Sequence, residues 1–357
     1  MPRRYVLLEN AVRKCLTILF PLMLLALPVA VYAEIVRGLH AATVPVVNQS
    51  AEALAGAASD ALGQVVVKVS GSVDALQHPV VQEALPEARS HVQQYAYVRD
   101  EGPEAALSAR FEFDSSYVNR LLGEAGLSLW TANRPPVLVW MALEQQGDRQ
   151  LVNALETPEL ARQLLQEFDR RGVPARLPLF DLRDATATDV SDVWAQHLPT
   201  ILAASARYDV NDILVGRVVV VSSGSWAGEW SYITGPDRLD RSGNAPSATG
   251  FLQEGVNLVA ESMASRYAVA LSDAPETGVR MVVNGVHEFA DYAAIVNWLE
   301  SLELISHANV QRIDRDRIEL GLDAAAGADQ LRTIIELNER LQPIANTSAE
   351  LVYQWTN

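Results

Sequence analysis

Thiols are nearly missing from this chain of 357 residues: its one cysteine, Cys15, lies close to the amino terminus. Beyond that point a disulfide framework, a thiolate metal site and a cysteine nucleophile are all excluded. Lysine is almost as scarce, with Lys14 and Lys68 alone and arginine supplying the other basic residues. The histidines, His40, His78, His91, His197, His287 and His307, never stand three or four residues apart, so the local zinc pairings are lacking. No G-x-S-x-G elbow, Walker A loop or G-x-G-x-x-G turn is present. Positive charge is also in deficit, at a net −16. Setting aside residues 1–33 removes Arg3, Arg4, Arg13 and Lys14 but only Glu9, so the rest carries −19. An acidic surface of that size repels phosphate backbones and anionic lipid, so nucleic acid is not an expected partner.

What is present begins with a leader. Arg3, Arg4, Arg13 and Lys14 precede the apolar run LTILFPLMLLALPVAVYA, residues 16–33. A positive start, an apolar middle and a small-residue end at Val31-Tyr32-Ala33 fit a secretory signal peptide cleaved before Glu34. The expected location is therefore the periplasm. The alternative is an inner-membrane anchor formed by residues 16–33, which would be the chain's one membrane contact. That run is barely long enough to span, and Pro21 and Pro28 break it. Cys15 precedes the run, whereas a lipid-anchored cysteine would follow it.

The remainder is 49% apolar and 20% charged over the whole chain, a composition that folds, and its length suits two or three domains. Residues 35–131 read as a small α+β unit. Thr43–Val47 is a short strand candidate, and Ser50 would cap a helix carrying Ala53, Leu54, Ala57, Ala58, Ala61, Leu62 and Val65 at helical spacing, ended by Gly71. Val92–Val98 and Ala106–Phe113 alternate like paired strands around the turn Asp100-Glu101-Gly102-Pro103. Their alternating Tyr95, Tyr97, Phe111 and Phe113 suit cross-strand packing.

Residues 132–272 read as a central α/β sandwich. Val137–Leu143 and Asp212–Val221 are apolar runs of the kind covered on both faces of a sheet. Between them lie a helix from Thr157-Pro158 to Arg170-Arg171-Gly172, a short run at Ala175–Leu179, and a helix over Leu198–Tyr208. A helix over about Thr249–Val269 follows. Residues 277–357 show the order βαββαβ of a ferredoxin-like sandwich, with strands at Arg280–Val286, Asn309–Ile313, Arg317–Leu322 and Leu351–Trp355, and helices at Phe289–Leu302 and Leu331–Leu341.

Candidate ligand-contacting residues are few. Asp181, Asp184, Asp189 and Asp192 follow the Ala175–Leu179 run, where carboxylates can hold a hard cation, but their spacing is not that of a calcium loop, which favours helix capping and solvated acid. Trp226 and Trp230 share strand parity and would face one side, either as a stacking surface for glycan or peptide or as core. Glu229 and Asp181 are conceivable as an acid and base on carbohydrate. No catalytic residue, metal ligand or cofactor-binding residue is assigned, and no cofactor is expected.

VKVSG (67–71), VQQYAY (92–97), GLSLW (126–130), NRPPVLVWMA (133–142) and DILVGRV (212–218) together resemble a bacterial envelope family known as domain-of-unknown-function 2066. The resemblance implies the envelope and no activity. In element order, the middle domain also looks like the small α/β domains of outer-membrane accessory lipoproteins and of the Tol-system translocation protein. The leading expectation is an exported, non-enzymatic interaction or assembly factor whose partners are envelope proteins. The alternatives are a periplasmic small-ligand or glycan-binding protein and a divergent hydrolase.

Overall fold

The computed structural model describes residues 34–99, 107–270, 276–338, 340–344 and 351–356. They belong to one compact unit, Tyr32–Asn357. The leader expected at 1–33 and the turn expected at 100–103 lie outside the described residues. Among the described residues no helix is long and apolar enough to cross a membrane. Helices and several sheets make this a mixed α+β, multi-sheet fold.

The first part opens with β1 (Glu34–Ile35) and β2 (Ala41–Pro45). Helix α1 (Ala51–Ser70) follows, capped by the Ser50 side chain accepting from Ala53 N and ended by Gly71 at φ 77°. Glycine is needed there twice over. The conformation is left-handed, and a Cβ would stand 2.2 Å from that of Ala264. After α2 (Pro79–Ala84) come the strands β3 (Val92–Arg99) and β4 (Leu107–Phe113), then α3 (Ser115–Glu124) and β5 (Ser128–Leu129). The sheet order is β2-β4-β3, all antiparallel. Phe111 and Phe113 are buried, and Tyr95 lies beside its cross-strand partner Phe111 at 6.2 Å between ring centres. These aromatic residues are sheet packing.

The middle part holds β6 (Asn133–Arg134), β7 (Val137–Gln145), β8 (Asp148–Leu151), α4 (Pro158–Arg171) and β9 (Ala175–Arg176). Three short helices, α5 (Leu182–Ala187), α6 (Val190–Trp194) and α7 (Leu198–Ser205), lead to β10 (Asp212–Val220), β11 (Trp226–Thr234), β12 (Asp237–Ala245) and α8 (Ala248–Tyr267). The sheet runs β12-β11-β10-β7-β8, with β9 also on β7. β7 is parallel to β10 and to β9, as helical crossovers require. One apolar core joins α4 and α8 to one face of the sheet, and another joins α6 and α7 to the other. The strand expected over Ala175–Leu179 is cut to two residues because the Leu179 N–H goes to the Tyr208 hydroxyl, and Phe180 adopts φ 53° to place its ring edge-on to Trp140.

The last part has β13 (Val269–Ala270), β14 (Glu276–Asn284), α9 (Phe289–Glu300), β15 (Ile305–Asp314), β16 (Arg317–Ala324), α10 (Ala328–Ile335), β17 (Leu341–Pro343) and β18 (Leu351–Trp355). Its sheet order is β15-β16-β14-β18-β17. The βαββα order is that of a ferredoxin-like sandwich, extended by one strand. Because β17 reverses the chain, β18 runs parallel to β14. The helix expected over Leu331–Leu341 stops at Ile335, where Asn338 turns the chain by accepting from the Arg340 N–H with its own side chain.

Short ladders stitch the parts. β1 pairs with β6, and β5 with β13. Apolar residues of the first and last parts fall in one continuous core. At the first junction Arg134 is fully buried. Its guanidinium donates to the carbonyls of Thr131, Trp130, Lys68, Arg171 and Gly172 at 2.7–3.2 Å and stacks 3.7 Å above the Trp130 ring. Helices α1 and α4 both end here, so the cation meets two carbonyl-rich, partially negative termini at once. Arg171 adds a bond to Gly71 O at 2.8 Å, and Lys68 one to Ala41 O at 2.9 Å.

Candidate functional site

Asp181 and Asp184 do come together, but around an arginine. Asp181 caps α5 by accepting from Arg183 N and Asp184 N, and Arg207 grips its carboxylate at 2.6 and 2.8 Å. Hydrogen bonding to Arg207 holds the Asp181 carboxyl far below the usual carboxylate range. Asp184 is buried, and it accepts from Arg207 at 3.1 Å, from Phe180 N at 2.8 Å and from the Tyr208 hydroxyl. Burial, then the bond to Asp184, pushes the Tyr208 phenol up to about 12. Asp189 caps α6 separately. These oxygens are occupied by protein donors, and no group of three or more His, Cys, Asp or Glu able to hold a metal occurs among the described residues. Asp181 and Asp189 are helix caps, while Asp184 is engaged by Arg207, Tyr208 and Phe180 N.

Trp226 and Trp230 face the same side of β11, toward the α8 core. Trp230 is fully buried, stacks on Phe251 at 5.1 Å and donates its indole N–H to Phe251 O at 3.1 Å. Gly216 and Gly255 leave room for it: a Cβ on either would lie 2.3 and 2.5 Å from the ring. Trp230 thus has no face for a ligand, and Trp226 is half-buried against the same core. Glu229 is spent on Arg217 at 2.7 Å, as Asp181 is on Arg207, so neither carboxylate is placed as a free acid or base. The hydroxyls of Ser223 and Ser225 face each other at 2.7 Å.

The structure assembles a different site, which sequence reasoning missed. A groove of about 630 Å³ opens where α1, β2 and the segment around α2 meet α4 and α8. Val44, Val67, Leu76 and Leu85 make an apolar wall, and Gln64, Gln77, Gln82, Gln253 and Asn257 supply carboxamides. Gly63 lies in the groove floor, its missing Cβ facing Leu76 and Leu85 at 3.4 and 3.8 Å. Two lining residues are charged, Arg170 and the exposed Asp60. Arg170 is paired with Glu167 at 2.7 Å, and Glu167 also takes the Gln253 amide at 3.3 Å. Gln82 Nε2 donates to Leu76 O at 2.6 Å, which ties α2 to the turn before it. Asn257 is different: its Oδ1 is buried and accepts no hydrogen bond. A buried carbonyl-type oxygen left unmet is costly, and a turn of this half-buried side chain would bring it to a donor in the groove. Sequence offered one faint signal, an asparagine between the buried Val256 and Leu258 of α8. The five amides are spread from residue 64 to residue 257, so no local motif contains them.

Residues 33–131 match the model of a domain of unknown function, DUF8605. The motifs VKVSG, VQQYAY and GLSLW fall inside that stretch. That match is consistent with an uncharacterised domain over this stretch and not with the domain-of-unknown-function 2066 that the motifs resembled. No curated protein matches the chain.

Proposed function

We propose that this is an exported envelope protein that works by binding, as an interaction or assembly factor, and that the groove at the first junction holds its partner. The observation that carries the reading is the groove itself, where apolar residues and carboxamides meet, with the buried Asn257 Oδ1 lacking a donor. Clefts where separate parts of a fold meet are a common place for a binding site. The leader supports export, and the net −19 of residues 34–357 supports a protein rather than a nucleic-acid partner. The likeness in element order to accessory lipoproteins and the Tol translocation protein points to the same compartment.

The test is photo-crosslinking in envelope fractions. A photoreactive residue at Gln77, exposed on the groove rim, should give a discrete adduct. The same residue at Arg312, exposed on β15, should not. No adduct from Gln77, or equal adducts from both, would refute the groove. Recovery of the chain from the cytosol would refute export.

A further inference from the structure

We infer that the occupant of the groove is an extended peptide segment with aliphatic side chains, recognised through its main chain. The inference rests on the groove being the binding site and names the class of molecule it takes. Each peptide unit presents an N–H and a C=O side by side, and a carboxamide presents the same pair in return. Asn257 Oδ1 lacks a donor, and a turn of this half-buried lining side chain would bring it to the N–H of a peptide unit. The apolar lining residues Val44, Val67, Leu76 and Leu85 suit the alternate side chains of an extended chain, which point to one side.

A second feature concerns strand β2, the outer strand of its sheet, whose Val44 and Pro45 line the groove. Val46 N donates to Leu107 O and Phe113 N to His40 O, which fixes the alternation of the β2–β4 ladder. The main-chain groups of residues 42 and 44 therefore face β4, and the N–H and C=O of Thr43 face away from it. Ala41 O, on that same outward edge, is already held by Lys68. Thr43, next to the lining residues Val44 and Pro45, thus offers an unpaired strand edge, the feature to which an extended peptide adds. Other ligand classes fit less well. Among the described residues lining the groove none is aromatic, so a sugar ring has no face to stack on. Its arginine, Arg170, is already engaged by Glu167, so a phosphate has no free cation.

The experiment titrates the full chain against two probes. One is a labelled pool of short, end-blocked, neutral peptides alternating leucine or valine with serine or threonine. The other is an uncharged N-acetylglucosamine oligomer. The peptide pool should bind and the sugar should not. Asn257→Leu should weaken peptide binding about tenfold, the value of one lost hydrogen bond. Ser59→Trp, at a half-buried lining position, should abolish binding by filling the groove while leaving the thermal unfolding midpoint near that of the parent. Sugar binding that is lost in the same variants would overturn the peptide assignment and keep the groove. Peptide binding untouched by both variants would overturn the assignment too. If Gln77 crosslinks a partner while the pool fails to bind, this inference falls and the groove reading stands; if both fail, both fall.

Discussion

Replacing Arg134 tests whether one buried cation holds the first junction together. Its guanidinium serves five main-chain carbonyls and no carboxylate. Arg134→Met keeps much of the stem's volume and removes every donor. Each carbonyl left without a partner costs about 1–3 kcal/mol. Against that stands the desolvation of the guanidinium, which burial has already imposed and which amounts to several kcal/mol. Removing one side of a buried charged arrangement typically leaves about 3–5 kcal/mol of net loss. A loss of that size is a large part of a domain's stability of about 5–15 kcal/mol, and it should lower the melting midpoint by roughly 10 °C. Arg134→Lys is the discriminating variant. It keeps the charge but has three donors on a point-like ammonium instead of five in a planar fork, so it should recover little. Urea titration followed by tryptophan fluorescence measures both, with Trp130, stacked under the guanidinium at 3.7 Å, as a local reporter. A midpoint for Arg134→Met within about 1 kcal/mol of the parent, or full recovery by lysine, would show that the carbonyls find other partners and that the clasp is not essential.

Three further outcomes follow from the same geometry. Burial lowers the Lys68 ammonium to about 8 from 10.5, so the unfolded chain holds that proton more tightly; the Lys68 contribution to stability should rise with pH from about 8 toward 10.5 and be flat below, and a Lys68→Met variant should lose that slope in paired denaturation curves. Gly216→Ala places a methyl group 2.3 Å from the Trp230 ring and should destabilise by about 1–3 kcal/mol in calorimetry, whereas alanine at Gly147, with open space around it, should show only the smaller strain of its φ of 89°. Calcium or magnesium should not shift the melting midpoint, because Arg207, Tyr208 and main-chain amides already occupy Asp181 and Asp184; a rise that disappears in Asp184→Asn would contradict this.

Much of the fold is local and was legible as such. Ser50 and Gly71 bound α1 because a cap and a left-handed stop depend on adjacent backbone. The apolar runs at 137–143 and 212–221 mark strands covered on both faces, and the equal parity of Trp226 and Trp230 puts them on one side of β11. Parity cannot say whether that side is core or surface; Gly216 and Gly255, arriving from β10 and α8, settle that Trp230 is core. The strand β17 escaped notice because three residues, Leu341–Pro343, are too few to show a period.

The sequence by itself determined the net acidity, the ends of α1 and the shared face of Trp226 and Trp230, since each follows from composition or from neighbours in the chain. Tertiary structure alone decided that Arg134 gathers two helix termini and that amides from Gln64 to Asn257 meet across one groove. Such encounters depend on how α1, α4 and α8 dock, and the free energy of docking comes from nondirectional apolar burial that many sequences can supply.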